Sequence, residues 1–456
     1  MSFQRLAVSL LFIAIGAAAC LMPAQSDTYW QLRAGQEIAA TGRVLLHDTF
    51  THTVRGGYWP NHEWASELLF YFLHRAGGMP LLTFVAASLV VWAWALAWTL
   101  MRGHAFVRIG VVLSLLITSA GLWSVRPQLV TLACLGLMLW MLVRGKERWL
   151  PLLFLAWANF HGGVTLGVVA LAGGLAGMVF VERARWKAAA GIFAACAAVV
   201  CLTPLGVSIW TEVPQMLARL SAYDVQEWRR PSLLRLANAP FWIAGASLLV
   251  LTLRRWRSLA RDEAILVGAA LALLAAALKS QRNVSPFLLA AAPALTVLLP
   301  AAVRAWTPGP RRERPAFNVA LFGATAAACI AVVLVGWSRP FARLNWRPVS
   351  PQVAGAIAAC PGNLYNQYDD GGYLVWFLPG RPVFMDSRQD PFPTALVVEH
   401  IRTERTGDYE RLFAERAIGC AAVPPESKVV ARLQQDGWIT LGKDDRWVVM
   451  SQGGQP

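Results

Sequence analysis

Charge is what this sequence has least of. Asp, Glu, Lys and Arg make up 15% of its 456 residues, where ordinary soluble domains carry roughly 25%. With 56% of the chain hydrophobic, too little polar surface remains to cover a water-soluble protein, and that class is excluded. Acid is scarcer than base, 26 Asp and Glu against 41 Lys and Arg, for a net charge of +15. No RNA- or DNA-binding motif accompanies this excess, so it reads as the orienting charge of membrane connectors rather than as a nucleic-acid surface. Internal repeats and low-complexity segments are also missing. Cysteine is sparse: five of the seven (Cys20, Cys134, Cys196, Cys201 and Cys329) fall in apolar runs, where a thiol behaves as a small hydrophobe.

What is present points to a polytopic α-helical membrane protein. Twenty-one tryptophans and 36 glycines suit a bundle whose indoles sit at the interface and whose glycines permit close helix packing. With roughly 20 apolar residues per span, about eleven transmembrane helices are expected: 6–24, 79–101, 105–122, 127–143, 149–161, 163–181, 187–205, 238–253, 263–279, 284–303 and 316–337. The opening stretch "MSFQRLAVSLLFIAIGAAACLMPAQ" also has signal-peptide features, and "AAAC" resembles a lipoprotein cleavage site. Its apolar run continues through Leu21 and Met22, and position 17 is Ala, so it is read as an uncleaved first helix.

The connectors "RGHAFVR", "RGKER", "ERARWK", "LRRWRSLAR" and "RAWTPGPRRER" are basic and fall on alternate sides in a consistent order. Placing them in the cytoplasm puts Met1 inside and residues 338–456 outside. The remaining connectors carry nearly all the unusual polar motifs. The expected organisation is a transmembrane domain, 1–337, with its first extracytoplasmic loop at 25–78, and a small extracytoplasmic α/β domain, 338–456. In the first loop, "WQLRAGQEIAATG" reads as an interfacial helix that Gly42 stops. A second amphipathic segment, 63–78, ends at Gly77-Gly78; alternatively it joins 79–101 as one bent span. In the tail, "GNLYN", "GYLVWFL", "RPVFMD", "IGCAAVP", "WITLG" and "RWVVMS" read as strands, with helices at 393–405 and 425–435.

Three acids of the first loop, Asp27, Asp48 and Glu63, are candidate catalytic residues. Carboxylates held against the membrane supply a general base, or oxygen ligands for a divalent cation. The plainer alternative is that Asp27 and Asp48 are helix N-caps. Arg126 ("VRPQ"), His161 ("NFHGG") with Asn159, and Arg282 ("SQRNVS") stand at expected outer ends of spans. A guanidinium there suits phosphate because its planar fork donates two parallel hydrogen bonds; snorkelling to lipid headgroups is the alternative. His62 and Glu227 join the substrate-binding candidates. Trp228 does too, since aromatic faces stack on sugars, although an interface anchor is the commoner use of tryptophan. The tail stretches "QYDDGGY" and "MDSRQD" do not match a calcium loop, and Gly371-Gly372 fits a turn between strands. Cys360 and Cys420, alone in the outward domain, are either a disulfide or two buried thiols; spacing leaves both open.

A first span, then an acid, a long loop with two amphipathic helices, many further spans and an outward soluble domain resemble the GT-C glycosyltransferases. That superfamily includes the protein mannosyltransferases and the lipid A aminoarabinose transferases. More closely, the chain is similar to a bacterial group of multi-pass proteins with the pattern D-x-x-W-x-L-x-x-G, then D-x-F-x-x-T, then W-x-N-H-E-W. Here these are Asp27 to Gly35, Asp48 to Thr53 and Trp59 to Trp64. "RPQL", "WANFHGG", "EWRRP", "QRN" and "GGYLVW…PVFMDSRQD" look like further motifs of that group. The resemblance implies an inverting transfer of sugar from a polyprenyl-phosphate donor to an unassigned acceptor at the outer face of a bacterial inner membrane. It gives the role of base to Asp27. Many relatives have two adjacent acids at that point, whereas Thr28 follows here, which weakens the case for a divalent cation as cofactor. The expected partners are the lipid-linked donor, the acceptor and membrane lipids, without nucleic acid. Two other functions fit the same architecture: a transporter or flippase for a lipid-linked substrate, and a non-catalytic assembly protein. Against transport, the spans lack repeated halves and have almost no central charge.

Overall fold

In the computed structural model the described residues are 1–212, 215, 226–307, 309, 313–338 and 344–452. Part of the connector 206–237, namely 213, 214 and 216–225, lies outside them. So do 308 and 310–312 of "RAWTPGPRRER" and 339–343 at the start of the tail.

The chain divides into two compact units. One consists of Met1–Pro23, Ala76–Val213 and Val225–Leu344, and the other contains Ala24–Arg75 and Asn345–Pro456. The first loop therefore folds with the tail and not, as the sequence boundaries 1–337 and 338–456 imply, with the spans. Backbone pairing is the reason. Val383 donates to the Phe50 carbonyl at 3.1 Å and receives from the His52 N–H at 3.0 Å, a parallel bridge that connects loop to tail.

In the first unit a helix lies at every expected span. Among the described residues, five helices are long and apolar enough to cross a membrane: Phe3–Cys20, Trp64–Leu100, Val164–Val181, Leu236–Ser258 and Pro315–Ser338. These make the chain a multi-pass membrane protein. Others are shorter, down to the 11 residues of Leu150–Phe160, a rise of roughly 16 Å against a hydrocarbon core of about 30 Å. The helix Trp64–Leu100 is the bent form: its backbone leaves helical geometry at Gly77 and at Gly78, where φ is 63°, a conformation only glycine adopts at little cost. Helix Val284–Leu298 is buried at all 15 positions and forms the axis of the unit. Beside it, helices Val164–Val181 and Arg261–Ala277 meet backbone to backbone. A Cβ on Gly173 would lie 2.4 Å from the Gly268 carbonyl oxygen, and one on Gly177 would lie 2.0 Å from that of Ala264. This is the small-residue packing that replaces a hydrophobic drive in lipid.

The basic connectors meet at one end of this unit. Arg102 bonds Glu263 at 2.8 Å, Arg185 bonds Glu147 at 2.8 Å, and Arg261 approaches Glu147 at 3.4 Å. The His104 N–H donates to the Arg304 carbonyl, and the Phe3 N–H reaches Glu313 at 2.9 Å. Like-signed connectors thus cluster without repulsion because acids sit among them, Glu147 and Glu263 buried and Glu182 and Asp262 half-buried.

The second unit has a four-stranded sheet in the order β1-β2-β4-β3: β1 Asn363–Asn366, β2 Ile418–Val423, β3 Ile439–Lys443 and β4 Val448–Ser451. β1 and β2 are parallel, so a crossover joins them; it contains the helices Gly371–Phe377, Thr394–Thr406 and Glu410–Glu415. Cys360 and Cys420 form a disulfide with Cα atoms 5.6 Å apart. Two strand expectations are corrected. "GYLVWFL" is the helix Gly371–Phe377, and "RPVFMD" makes only the single bridge through Val383. The helix forms because Gly371 and Gly372 let its first turn press on neighbouring backbone. A Cβ on Gly371 would lie 2.0 Å from the Met385 carbonyl oxygen, and one on Gly372 would lie 2.1 Å from that of Ser26.

Candidate functional site

In the second unit, motifs from the first loop and the tail assemble around Asp27. Asp27 lies in the first turn of helix Ser26–Thr41, whose N-cap is Gln25, so Asp27 is not the cap. Its Oδ1 accepts from the Ser387 hydroxyl and from the Trp30 indole N–H at 3.3 Å. Ser387 is held in turn, because the Tyr368 hydroxyl donates to its carbonyl at 2.8 Å. Burial, and next the Asp27 carboxylate, push the Tyr368 hydroxyl well above its ordinary 10.0, so it remains a donor. Asp27 is half-buried, which leaves a hydrogen-bonded carboxylate at a solvent margin. This is the placement a general base needs.

Asp48 has a different environment. Its side chain is 0% exposed and paired with Arg388, whose side chain is also 0% exposed. Oδ2 of Asp48 accepts from the Thr51 hydroxyl at 2.8 Å and the Thr51 N–H at 3.1 Å. No helix follows it, so the N-cap alternative fails and a local turn replaces it. Arg388 also holds Asp386, with Nε to Oδ1 at 2.8 Å and Nη2 to Oδ2 at 2.7 Å. Its guanidinium lies 4.6 Å from both the Phe50 and Trp59 ring centres. Two anions on one cation keep the Arg388 pKa raised although burial alone lowers it. Glu63 accepts from Gln31 at 3.0 Å and is buried. His62 lies 3.9 Å from Asp390 and 3.2 Å from the Pro60 carbonyl.

The first unit holds the other candidates at the end away from the basic connectors. Arg126 makes a two-pronged pair with Glu227, 2.8 Å to Oε1 and 3.3 Å to Oε2, with Ser124 at 2.8 Å and Gln128 at 3.1 Å. Arg282 stands 5.0 Å from the Trp228 ring centre and 3.5 Å from His161 Nε2. The other histidine nitrogen, Nδ1, receives the Gly163 N–H at 3.1 Å and contacts the Thr131 hydroxyl at 2.8 Å. The Gly163 N–H at Nδ1 and the Arg282 guanidinium at Nε2 thus both point at the His161 ring. The Trp228 indole N–H is buried and has no hydrogen-bond partner among the described residues. Asn159 turns elsewhere, donating to the Leu155 and Leu202 carbonyls at 3.0 and 3.1 Å.

Sequence reading missed Ser387, Tyr368 and Arg388 as the residues that organise this acid-rich loop. The available signal was in the "QYDDGGY" and "MDSRQD" stretches, the second of them within a motif of the resembled group, neither of which was tied to Asp27 or Asp48. Among the described residues, no group of three or more His, Cys, Asp and Glu could hold a metal ion.

No protein-family model matches the chain, and no curated protein matches it. Solved structures do. An archaeal oligosaccharyltransferase, AglB from Archaeoglobus fulgidus, solved with an inhibitory peptide and a dolichol-phosphate, superposes with a TM-score of 0.55 at 12% identity. The match covers 92% of this chain and 69% of that one. The apo form of an Archaeoglobus fulgidus oligosaccharyltransferase gives a TM-score of 0.50 at 12% identity, over 91% and 69%. At this identity the likeness establishes the fold alone: the chain is a multi-pass membrane protein that shares the fold of these oligosaccharyltransferases.

Proposed function

We propose that this protein is a glycosyltransferase that moves a sugar from a polyprenyl-phosphate donor to an acceptor at the outer face of a bacterial inner membrane. The observation that carries this reading is the fold, shared over 92% of the chain with an oligosaccharyltransferase solved with a dolichol-phosphate. Asp27 takes the proton of the acceptor hydroxyl. The acceptor oxygen then bonds to the anomeric carbon with inversion, and the bond from that carbon to the phosphate oxygen breaks, its electron pair leaving with the polyprenyl phosphate. Arg282, with His161 beside it, holds that phosphate, its planar fork suited to two phosphate oxygens. Arg126 positions Glu227 and Trp228, and Trp228 backs Arg282. Asp48 is structural in this scheme, because its enclosed ion pair leaves no oxygen for a substrate. Glu63, bonded to Gln31, supports the same loop.

The proposal includes about eleven spans with Met1 cytoplasmic and residues 338–456 extracytoplasmic. It is tested by transfer from a synthetic polyprenyl-phosphate sugar in vesicles containing the purified protein. Asp27→Asn is expected to lower turnover by roughly 10²–10⁴ while the folded yield stays unchanged. Arg282→Ala is expected to weaken donor binding, read as a raised KM. Undiminished transfer by Asp27→Asn removes the base assignment, and no transfer from any polyprenyl-phosphate sugar by the wild-type protein removes the enzyme reading in favour of an assembly role.

A further inference from the structure

Within the second unit, a cleft of about 280 Å³ opens between the helix Ser26–Thr41 and the turn that follows helix Gly371–Phe377. Its walls include three arginines, Arg33, Arg55 and Arg381, and one acid, Glu37. That acid is already engaged. Glu37 Oε1 takes Arg33 at 3.0 Å, and Oε2 takes the Thr49 hydroxyl at 2.9 Å. The cations left over are not neutralised. Arg381 Nη2 donates to two carbonyls, of Cys360 at 3.0 Å and Gly362 at 2.6 Å, and its Nε is buried without a partner among the described residues. Burial lowers the Arg381 pKa from its ordinary value, and among the described residues no carboxylate compensates the desolvated charge. Arg55 is exposed.

We propose that this cleft binds an anionic saccharide, with a phosphate or carboxylate group held by Arg55 and Arg381. A partly desolvated guanidinium without a carboxylate partner among the described residues, Arg381, next to an exposed one, Arg55, is what an oxyanion satisfies with charge-assisted hydrogen bonds. The volume, close to the roughly 300 Å³ lower bound of small-molecule sites, exceeds what a bare oxyanion fills, so the anion arrives on a larger body. Leu378, Pro379 and Pro382 line the same cleft and give an apolar wall, which matches the nonpolar face of a sugar ring. The Cys360–Cys420 disulfide fixes the turn whose carbonyls hold Arg381, so the cation is placed before any ligand arrives. This inference stands apart from the transfer reading and is measured without it.

The test uses the full-length protein in detergent micelles, with binding of glucose 6-phosphate, inorganic phosphate and glucose followed by calorimetry. Glucose 6-phosphate is expected to bind, with an affinity that falls as salt is raised, and glucose to bind at least about tenfold more weakly. Arg55→Ala is expected to weaken glucose 6-phosphate binding roughly tenfold. It is the primary variant because its side chain is exposed; Arg381→Gln, which also loses carbonyl contacts, is read only with an unchanged melting temperature. Asp27→Asn should bind glucose 6-phosphate as the wild type does, which separates this site from the transfer chemistry. Equal affinity for glucose and glucose 6-phosphate, or no effect of Arg55→Ala, overturns the anion site. Equal affinity for inorganic phosphate and glucose 6-phosphate overturns the saccharide.

Discussion

Arg388 offsets the negative charge of Asp48 and Asp386, and all three side chains are fully buried. Removing the guanidinium leaves two carboxylates desolvated and unpaired, a loss on the order of 3–5 kcal/mol. Arg388→Ala is therefore expected to lower the melting temperature sharply and Asp48→Asn to lower it less, whereas Asp27→Asn should leave it near the wild-type value. Thermal unfolding of the three variants separates the structural acid from the proposed base; equal melting temperatures for all of them would contradict the division. His400 gives a pH signature in the same unit. Burial holds it at about 3 instead of 6.5, and Nε2 accepts the Tyr368 N–H at 3.3 Å, so the folded state keeps a neutral ring. The unfolded chain takes up a proton below pH 6.5. This group's contribution is fully present above that pH and is lost as pH falls toward 3, at up to about 1.4 kcal/mol per unit. Comparing melting temperatures of wild type and His400→Asn from pH 7 to 5 should show a shallower fall in the variant.

At the scale of elements, the helix Gly371–Phe377 fixes the surroundings of Asp27. Its first turn lies against Ser26, and the Gly372 N–H donates to the Ser26 hydroxyl at 3.0 Å. A methyl group at position 372 has backbone in its way, not a flexible side-chain end. Gly372→Ala is expected to destabilise by about 1–3 kcal/mol and to displace Ser26 and Asp27, so transfer should fall more than stability alone explains. Gly323→Ala, with nothing within 4 Å of its added Cβ, is the control and should change neither. The strand reading of "GYLVWFL" failed for a related reason. Seven mostly apolar residues have no periodicity that distinguishes a buried helix from a buried strand, and contact with the Ser26 and Met385 backbone selects the helix.

At the scale of the whole molecule, orientation and redox chemistry constrain each other. A disulfide persists in an oxidising compartment, so the Cys360–Cys420 bond accords with an extracytoplasmic second unit. Reporter fusions after residue 337 are expected to be active outside the cytoplasm, and thiol labelling of intact cells should modify Cys360 and Cys420 only after reduction. Cytoplasmic behaviour of the fusions would reverse the orientation of every motif. Cys360→Ser is expected to cost about 2–5 kcal/mol, measured as a lowered melting temperature of the second unit.

The sequence alone determined the apolar character of the chain, the positions of its helical segments and the GT-C resemblance. Each of these rests on composition or on local periodicity, which survive without tertiary contacts. It also singled out the Asp27, Asp48 and Glu63 loop and the Arg126, His161 and Arg282 set, because polar residues stand out between apolar runs. Apart from the resemblance, which gave the base to Asp27, it did not separate the environment of each acid: Asp27 and Asp48 have similar neighbours in the chain. They differ because Arg388, some 340 positions after Asp48, encloses one, while Ser387 supports the other at a solvent margin. The grouping of the first loop with the tail, the helix at Gly371, the Cys360–Cys420 pairing and the arginine-lined cleft were likewise decided only in three dimensions. All four depend on contacts between residues remote in sequence, and no local pattern encodes which remote partner a backbone carbonyl, a thiol or a buried charge will meet.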